Sequence, residues 1–305
     1  MKPRALKPGD TIGLVSPASP LTADKLDFTI NLLESKGYRA RVAPHALSQD
    51  GHLAGTDHQR AADLQEFFAD PEIHGILCTR GGYGCARILH LLDLDAVAAS
   101  RKLFIGFSDI TTLHLALNRR GLPTLHGPMA LTLHYEREPW VYDSFLRSLA
   151  GDLTISEQAP SAKTMVEGVA EGITTGGCLC LLTDSIATPD ALDVAGKILF
   201  IEDVDEAPHR IDAMFTHLLN ANILQQAAGL VIGEMTRTDD RLDPAIGGKG
   251  WKQIVEERVL PLNIPTVVDF PFGHAKGMLT VGLGIRARLD ATKCELTYLE
   301  PLCQS

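Results

Sequence analysis

Leu103-Phe104-Ile105-Gly106-Phe107-Ser108-Asp109-Ile110-Thr111 holds a complete turn of chain architecture. An apolar run of strand length enters a glycine, turns at a serine and opens into a helix with Leu113 and Leu117 on its apolar face. A buried strand passing straight into a helix is the repeating unit of a parallel sheet covered on both faces. The same alternation recurs upstream. Thr11-Ile12-Gly13-Leu14-Val15 reads as a strand, and Leu26, Ile30 and Leu33 mark a helix that stops at Gly37. Arg39 to Val42 reads as a strand, Asp57 to Phe68 as a helix, and Gly75-Ile76-Leu77-Cys78-Thr79 as a buried strand before a helix carrying Ala86, Leu89 and Leu92. The fold class is therefore α/β, and ligands of such sheets sit at the carboxyl ends of the strands.

A chain of 305 residues predicts two domains rather than one. The polar stretch Gly151 to Thr164 is the natural boundary, leaving an α/β domain over residues 1–155 and a β-rich domain over 165–305. The second region reads as strands at Val166 to Ile173, Lys197 to Ile201, Leu230 to Met235, Thr266 to Phe270, Thr280 to Leu289 and Glu295 to Leu299. One clear helix, Pro208 to Leu219, interrupts them.

The charge balance of 28 basic against 38 acidic side chains gives −10. With no basic stripe to offset that field, a nucleic-acid partner is excluded. An anionic substrate would have to be held by particular Arg or Lys side chains. The first apolar run, Thr11 to Pro17, is too short for a secretory signal, and no stretch approaches the roughly 20 apolar residues that span a bilayer. The expectation is a cytoplasmic protein with no membrane partner. Its six cysteines, spread widely and without zinc-ligand spacing, are expected to be reduced structural thiols.

Four places could carry chemistry, each with a plainer alternative. Ser108 has the logic of a nucleophile elbow without its final glycine, and could equally be a helix N-cap. Arg80-Gly81-Gly82-Tyr83-Gly84 offers backbone N–H groups to an oxyanion or phosphate, or is only a turn. Glu202-Asp203-Val204-Asp205-Glu206 could orient a histidine, bind a hard cation or form a solvated loop. His274 lies in a Gly/Pro-bounded loop after a strand, where catalytic groups concentrate, although most of the eleven histidines must be structural. The chain order Ser108, Glu202, His274 matches the Ser…Asp/Glu…His order of α/β-hydrolases.

Gly9-Asp10 with Ser16-Pro17, Arg80-Gly81-Gly82-Tyr83-Gly84, Gly106-Phe107-Ser108-Asp109, Gly127-Pro128-Met129, Gly176-Gly177, Ile201-Glu202-Asp203 with Pro208-His209-Arg210, and Phe272-Gly273-His274 span nearly the whole chain. Together they resemble the LD-carboxypeptidase (muramoyltetrapeptide carboxypeptidase) family, serine peptidases with a Ser-His-Glu triad. The resemblance implies an N-terminal parallel-sheet domain of the class I glutamine amidotransferase-like type and a C-terminal β-rich swivelling domain. It implies Ser108 as nucleophile, His274 as general base, Glu202 as the acid orienting His274, and an oxyanion hole from the N–H groups of Gly82 and Asp109. The implied reaction removes the terminal D-alanine from a murein tetrapeptide, with no cofactor and no metal.

The expected partner is thus a small peptide or muropeptide, and a homodimer is compatible with the sequence. Arg80 is the candidate for the substrate carboxylate, or it braces its loop. In one departure from the family, Cys178 stands where Asn often follows the Gly-Gly pair. Two rivals remain. A microcin-immunity-type peptidase on the same scaffold would need rings to stack a nucleobase, for which Trp140 and Tyr142 are available. In a non-enzymatic α/β protein binding an anion, Ser108 would be an N-cap and His274 incidental.

Overall fold

The computed structural model describes residues 2–242, 245 and 248–304, so the outer ends of the two expected domains, Met1 and Ser305, lie outside the described residues. The chain divides into two compact units. One comprises residues 1–153, 280–284 and 301–305, the other residues 154–279 and 285–300.

The first unit is built on a sheet ordered Val281–Leu283, Thr124–His126, Leu103–Gly106, Gly75–Cys78, Thr11–Val15, Arg39–Val42. Only its first pair is antiparallel; the others run parallel. Every residue of Thr11–Val15, Gly75–Cys78 and Leu103–Gly106 is buried, as the unbroken apolar runs require of a sheet covered on both faces. Between these strands run the helices Ala23–Ser35, Asp57–Ala69 and Thr111–Arg119. The second of these starts at a capping box in which Thr56 and Gln59 satisfy each other's backbone N–H.

The second unit is strand-rich, with a sheet ordered Glu295–Tyr298, Arg286–Asp290, Val169–Cys178, Ile198–Val204, Gly229–Thr236, Thr266–Val268, Lys163–Val166. Its four central neighbours, from Val169–Cys178 to Thr266–Val268, are parallel and linked by helices, including the expected Pro208–Asn220 and an unexpected Trp251–Val259. This unit is thus itself α/β, with antiparallel strands only at its edges.

Two expectations need correction. The run Thr280 to Leu289 is not one strand. Val281–Leu283 pairs with Thr124–His126 in the first sheet, whereas Arg286–Asp290 pairs with Val169–Cys178 in the second. Residues 165–305 therefore do not form one unbroken unit. Likewise Val166 to Ile173 covers parts of two strands, Lys163–Val166 and Val169–Cys178. Among the described residues no helix is long and apolar enough to cross a membrane.

Candidate active site

In the first unit, three loops at carboxyl ends of parallel strands build one cluster. The strand Leu103–Gly106 ends in the tight turn Ser108–Ile110, which leads into the helix Thr111–Arg119. Ser108 has φ 64°, a left-handed conformation costing a residue with a Cβ about 1–2 kcal/mol. Neither the turn nor the helix receives a side-chain cap, so the N-cap alternative does not describe this serine. Gly81 lies against it: a Cβ there would come 2.7 Å from Ser108 Cβ and 2.9 Å from its Oγ. Gly82 has φ 106°, and a Cβ on it would collide with Ser19 Oγ. The backbone N–H groups of Gly82 and Asp109 donate to nothing among the described residues.

Two buried side chains hold these loops. The Asp109 carboxylate accepts the Cys85 N–H at 2.8 Å, tying the serine turn to the helix after the Gly-rich loop. Burial raises the pKa of Asp109 and also pushes the Cys78 and Cys85 thiols well up, away from the reactive thiolate. Arg60, fully buried, donates to Pro17 O at 2.5 Å and Gly84 O at 2.9 Å and pairs with Asp57. Arg60 does not stand out in the sequence, since an arginine on an amphipathic helix ordinarily faces solvent. Its one signal was position, on the helix preceding the Gly-rich strand. Arg80 donates to Pro20 O at 3.1 Å, so one of its donors braces the loop as anticipated.

In the second unit, Glu202 and Asp203 are not a solvated loop. Both belong to the strand Ile198–Val204 and are buried. Glu202 Oε2 accepts a hydrogen bond from His274 Nδ1 at 2.7 Å and another from the His274 backbone N–H at 3.1 Å. The intervening Gly273 has φ 85°, and a Cβ on it would lie 2.5 Å from Glu202 Cδ and Oε2. Phe200, Phe270 and Phe272 pack edge-on, with Phe200 and Phe272 centroids 5.3 Å apart, fastening the histidine loop to the glutamate strand. Burial pulls the His274 pKa down; the charge and hydrogen bond of Glu202, with help from Asp203 and Asp205, outweigh it and leave the pKa raised. Asp203 is pushed up to about 6 by burial and by the charge of Glu202. A carboxylate on Nδ1 assigns the proton to that nitrogen and makes Nε2 the basic one.

The LD-carboxypeptidase N-terminal domain matches residues 12–127 and the LD-carboxypeptidase C-terminal domain residues 171–289. A murein tetrapeptide carboxypeptidase of Pseudomonas aeruginosa is 32% identical over 86% of this chain and 87% of its own. The chain belongs to the LD-carboxypeptidase family. The crystal structure of the muramoyltetrapeptide carboxypeptidase from Oxalobacter formigenes superposes with a TM-score of 0.81 at 27% identity, covering 94% of this chain and 97% of the other. The microcin C7 self-immunity protein of Escherichia coli is 27% identical over 96% of this chain and 94% of its own.

For this LD-carboxypeptidase family member, the two rings invoked for a nucleobase lie on one helix. Trp140 is buried in the helix Pro139–Leu149, and the Tyr142 hydroxyl donates to the carbonyls of Leu133 and Tyr135. The second unit adds a cavity that sequence reasoning did not find, lined in part by Glu234, Trp251, Lys252 and Asp269 and by Ala275 and Lys276 directly after His274.

Proposed function

We propose that this chain is a serine LD-carboxypeptidase that releases the terminal D-alanine of murein tetrapeptides in cytoplasmic cell-wall recycling. The observation that carries the reading is the Glu202–His274 bond of 2.7 Å, a buried carboxylate fixing the imidazole of a strand-end loop, in a chain of this family. Ser108 is the nucleophile: His274 Nε2 takes its proton, Oγ attacks the peptide carbonyl, and the N–H groups of Gly82 and Asp109 stabilise the oxyanion. The imidazolium then protonates the departing D-alanine, and water, deprotonated by the same histidine, releases the tripeptide from the acyl-enzyme. The remaining donors of Arg80 are the candidate for the terminal carboxylate. In domain terms, the first unit, with its parallel sheet, corresponds to the class I glutamine amidotransferase-like domain carrying the nucleophile. The second corresponds to the swivelling domain carrying Glu202 and His274.

The microcin-immunity alternative has support in one relative, but of the two rings it would need, Trp140 is buried. The deciding experiment incubates the purified protein with a soluble muropeptide ending in D-alanine and follows products by mass spectrometry. Release of D-alanine with the matching tripeptide is the expected result; intact substrate at high enzyme concentration would end the proposal.

A further inference from the structure

Cys178, the residue that departs from the family's frequent Asn, has a second thiol beside it. Cys178 Sγ lies 3.4 Å from Cys180 Sγ and 3.5 Å from Asp203 Oδ1. One ligand atom from each of the three side chains falls within 4.8 Å of the others. Zinc–thiolate bonds of about 2.3 Å and zinc–carboxylate bonds of about 2.0 Å at tetrahedral angles give ligand–ligand edges of roughly 3.5–3.8 Å. The two edges that meet at Cys178 Sγ already have close to those dimensions, and the third is within 4.8 Å.

It is also held in place. Asp203 is buried, and its Oδ2 accepts the Cys180 N–H at 2.9 Å while Oδ1 accepts the Val204 N–H at 2.7 Å. Cys178 ends the strand Val169–Cys178 and is in register with Glu202, the residue before Asp203. Cys178 is buried and Cys180 partly exposed, which gives an ion a way in from solvent.

We propose that Cys178, Cys180 and Asp203 form a binding site for a thiophilic divalent cation, with zinc the best fit. Two sulfurs and one carboxylate oxygen disfavour magnesium and calcium, which take oxygen sets, and leave one tetrahedral position for water. Binding exchanges each S–H proton for a metal–sulfur bond and releases the protons to solvent, with no change of oxidation state. The site rests on these three side chains alone and is independent of the peptidase assignment. Its ion takes no part in the bond-making steps of the proposed Ser-His-Glu chemistry.

The test uses the full chain, reduced with a phosphine, stripped of metal and titrated with cobalt(II) as a spectroscopic stand-in for zinc. The expected result is a near-ultraviolet thiolate-to-cobalt charge-transfer band saturating at one ion per chain and bleached by zinc. Cys180→Ala, a change at a partly exposed position, should abolish the band with an unaltered circular dichroism spectrum. It should weaken zinc binding beyond the roughly 10–100-fold that loss of a mere outer-shell partner costs. Should Cys180→Ala fail to fold, Cys180→Ser serves the same comparison. No charge-transfer band in the wild-type chain, or an unchanged band in the folded variant, would overturn the site.

Discussion

Ser108 occupies a conformation that glycine would hold more cheaply. A serine kept at φ 64° at the end of a buried strand, its hydroxyl capping nothing, holds the kind of local strain that the proposed nucleophile role calls for. Two substitutions separate the roles. Ser108→Ala should lower kcat/KM by several powers of ten, as loss of a triad nucleophile does. Ser108→Gly should be equally inactive yet more stable in thermal unfolding, by about 1 kcal/mol. A Ser108→Ala enzyme retaining a tenth of wild-type turnover would remove the nucleophile assignment. The pH profile tests His274. Its pKa is raised above the usual 6.5, and a general base must be neutral, so kcat/KM should fall as pH drops through a value above 6.5. Glu202→Gln removes the charge and should shift that limb downward; a limb that stays put would dissociate the pair from catalysis. A histidine whose folded pKa is raised contributes stability fully below its unfolded pKa, and loses it as pH rises through the folded value.

At the scale of elements, much was legible. Short apolar runs located the strands Thr11–Val15, Gly75–Cys78 and Leu103–Gly106 within a residue, because strands buried on both faces leave an unbroken apolar signature. The partnership of Glu202 with His274 could be guessed from chain order, but its geometry depends on Gly273 and on three phenylalanines, contacts that no local pattern encodes. Arg60 was illegible because burying a guanidinium is worthwhile only once Pro17 O, Gly84 O and Asp57 converge on it. Arg60→Met should therefore destabilise the chain by about 3–5 kcal/mol, and Arg60→Lys should recover little, since one ammonium cannot reproduce the fork. Urea unfolding would show it; a loss under 1 kcal/mol would mean the loops hold themselves. Gly273→Ala makes a different prediction. Its Cβ would press on a carboxylate with no exposed surface, so kcat should drop while KM changes little. Rising KM at constant kcat would place Gly273 in binding instead.

Over the whole molecule, the fold is least legible in the sequence where the chain changes sheets. Thr280 to Leu289 reads locally as one strand, yet it feeds two sheets, and period-two alternation cannot say which partner a strand will take. The net charge of −10 bears on the substrate at the same scale. The long-range field repels an anion, so a terminal carboxylate must be recognised by short-range contacts that depend on its position. That dependence makes stereochemistry the sharpest test of the proposed activity. An LD-peptidase accepts an L-centre on the acyl side and a small D-residue as leaving group. Inverting the leaving residue exchanges the directions of methyl and carboxylate, leaving the charge away from its partner at a cost of about 3–5 kcal/mol. The tetrapeptide ending in D-alanine should thus be cleaved at least a hundredfold faster than its L-alanine epimer, roughly the ratio that 2.8 kcal/mol produces. Competition between the two epimers and an aminoacyl sulfamoyl nucleoside in one reaction, followed by mass spectrometry, reads this directly. Equal rates on the epimers, or tighter engagement of the nucleoside, would transfer the same serine, histidine and glutamate to a different substrate class.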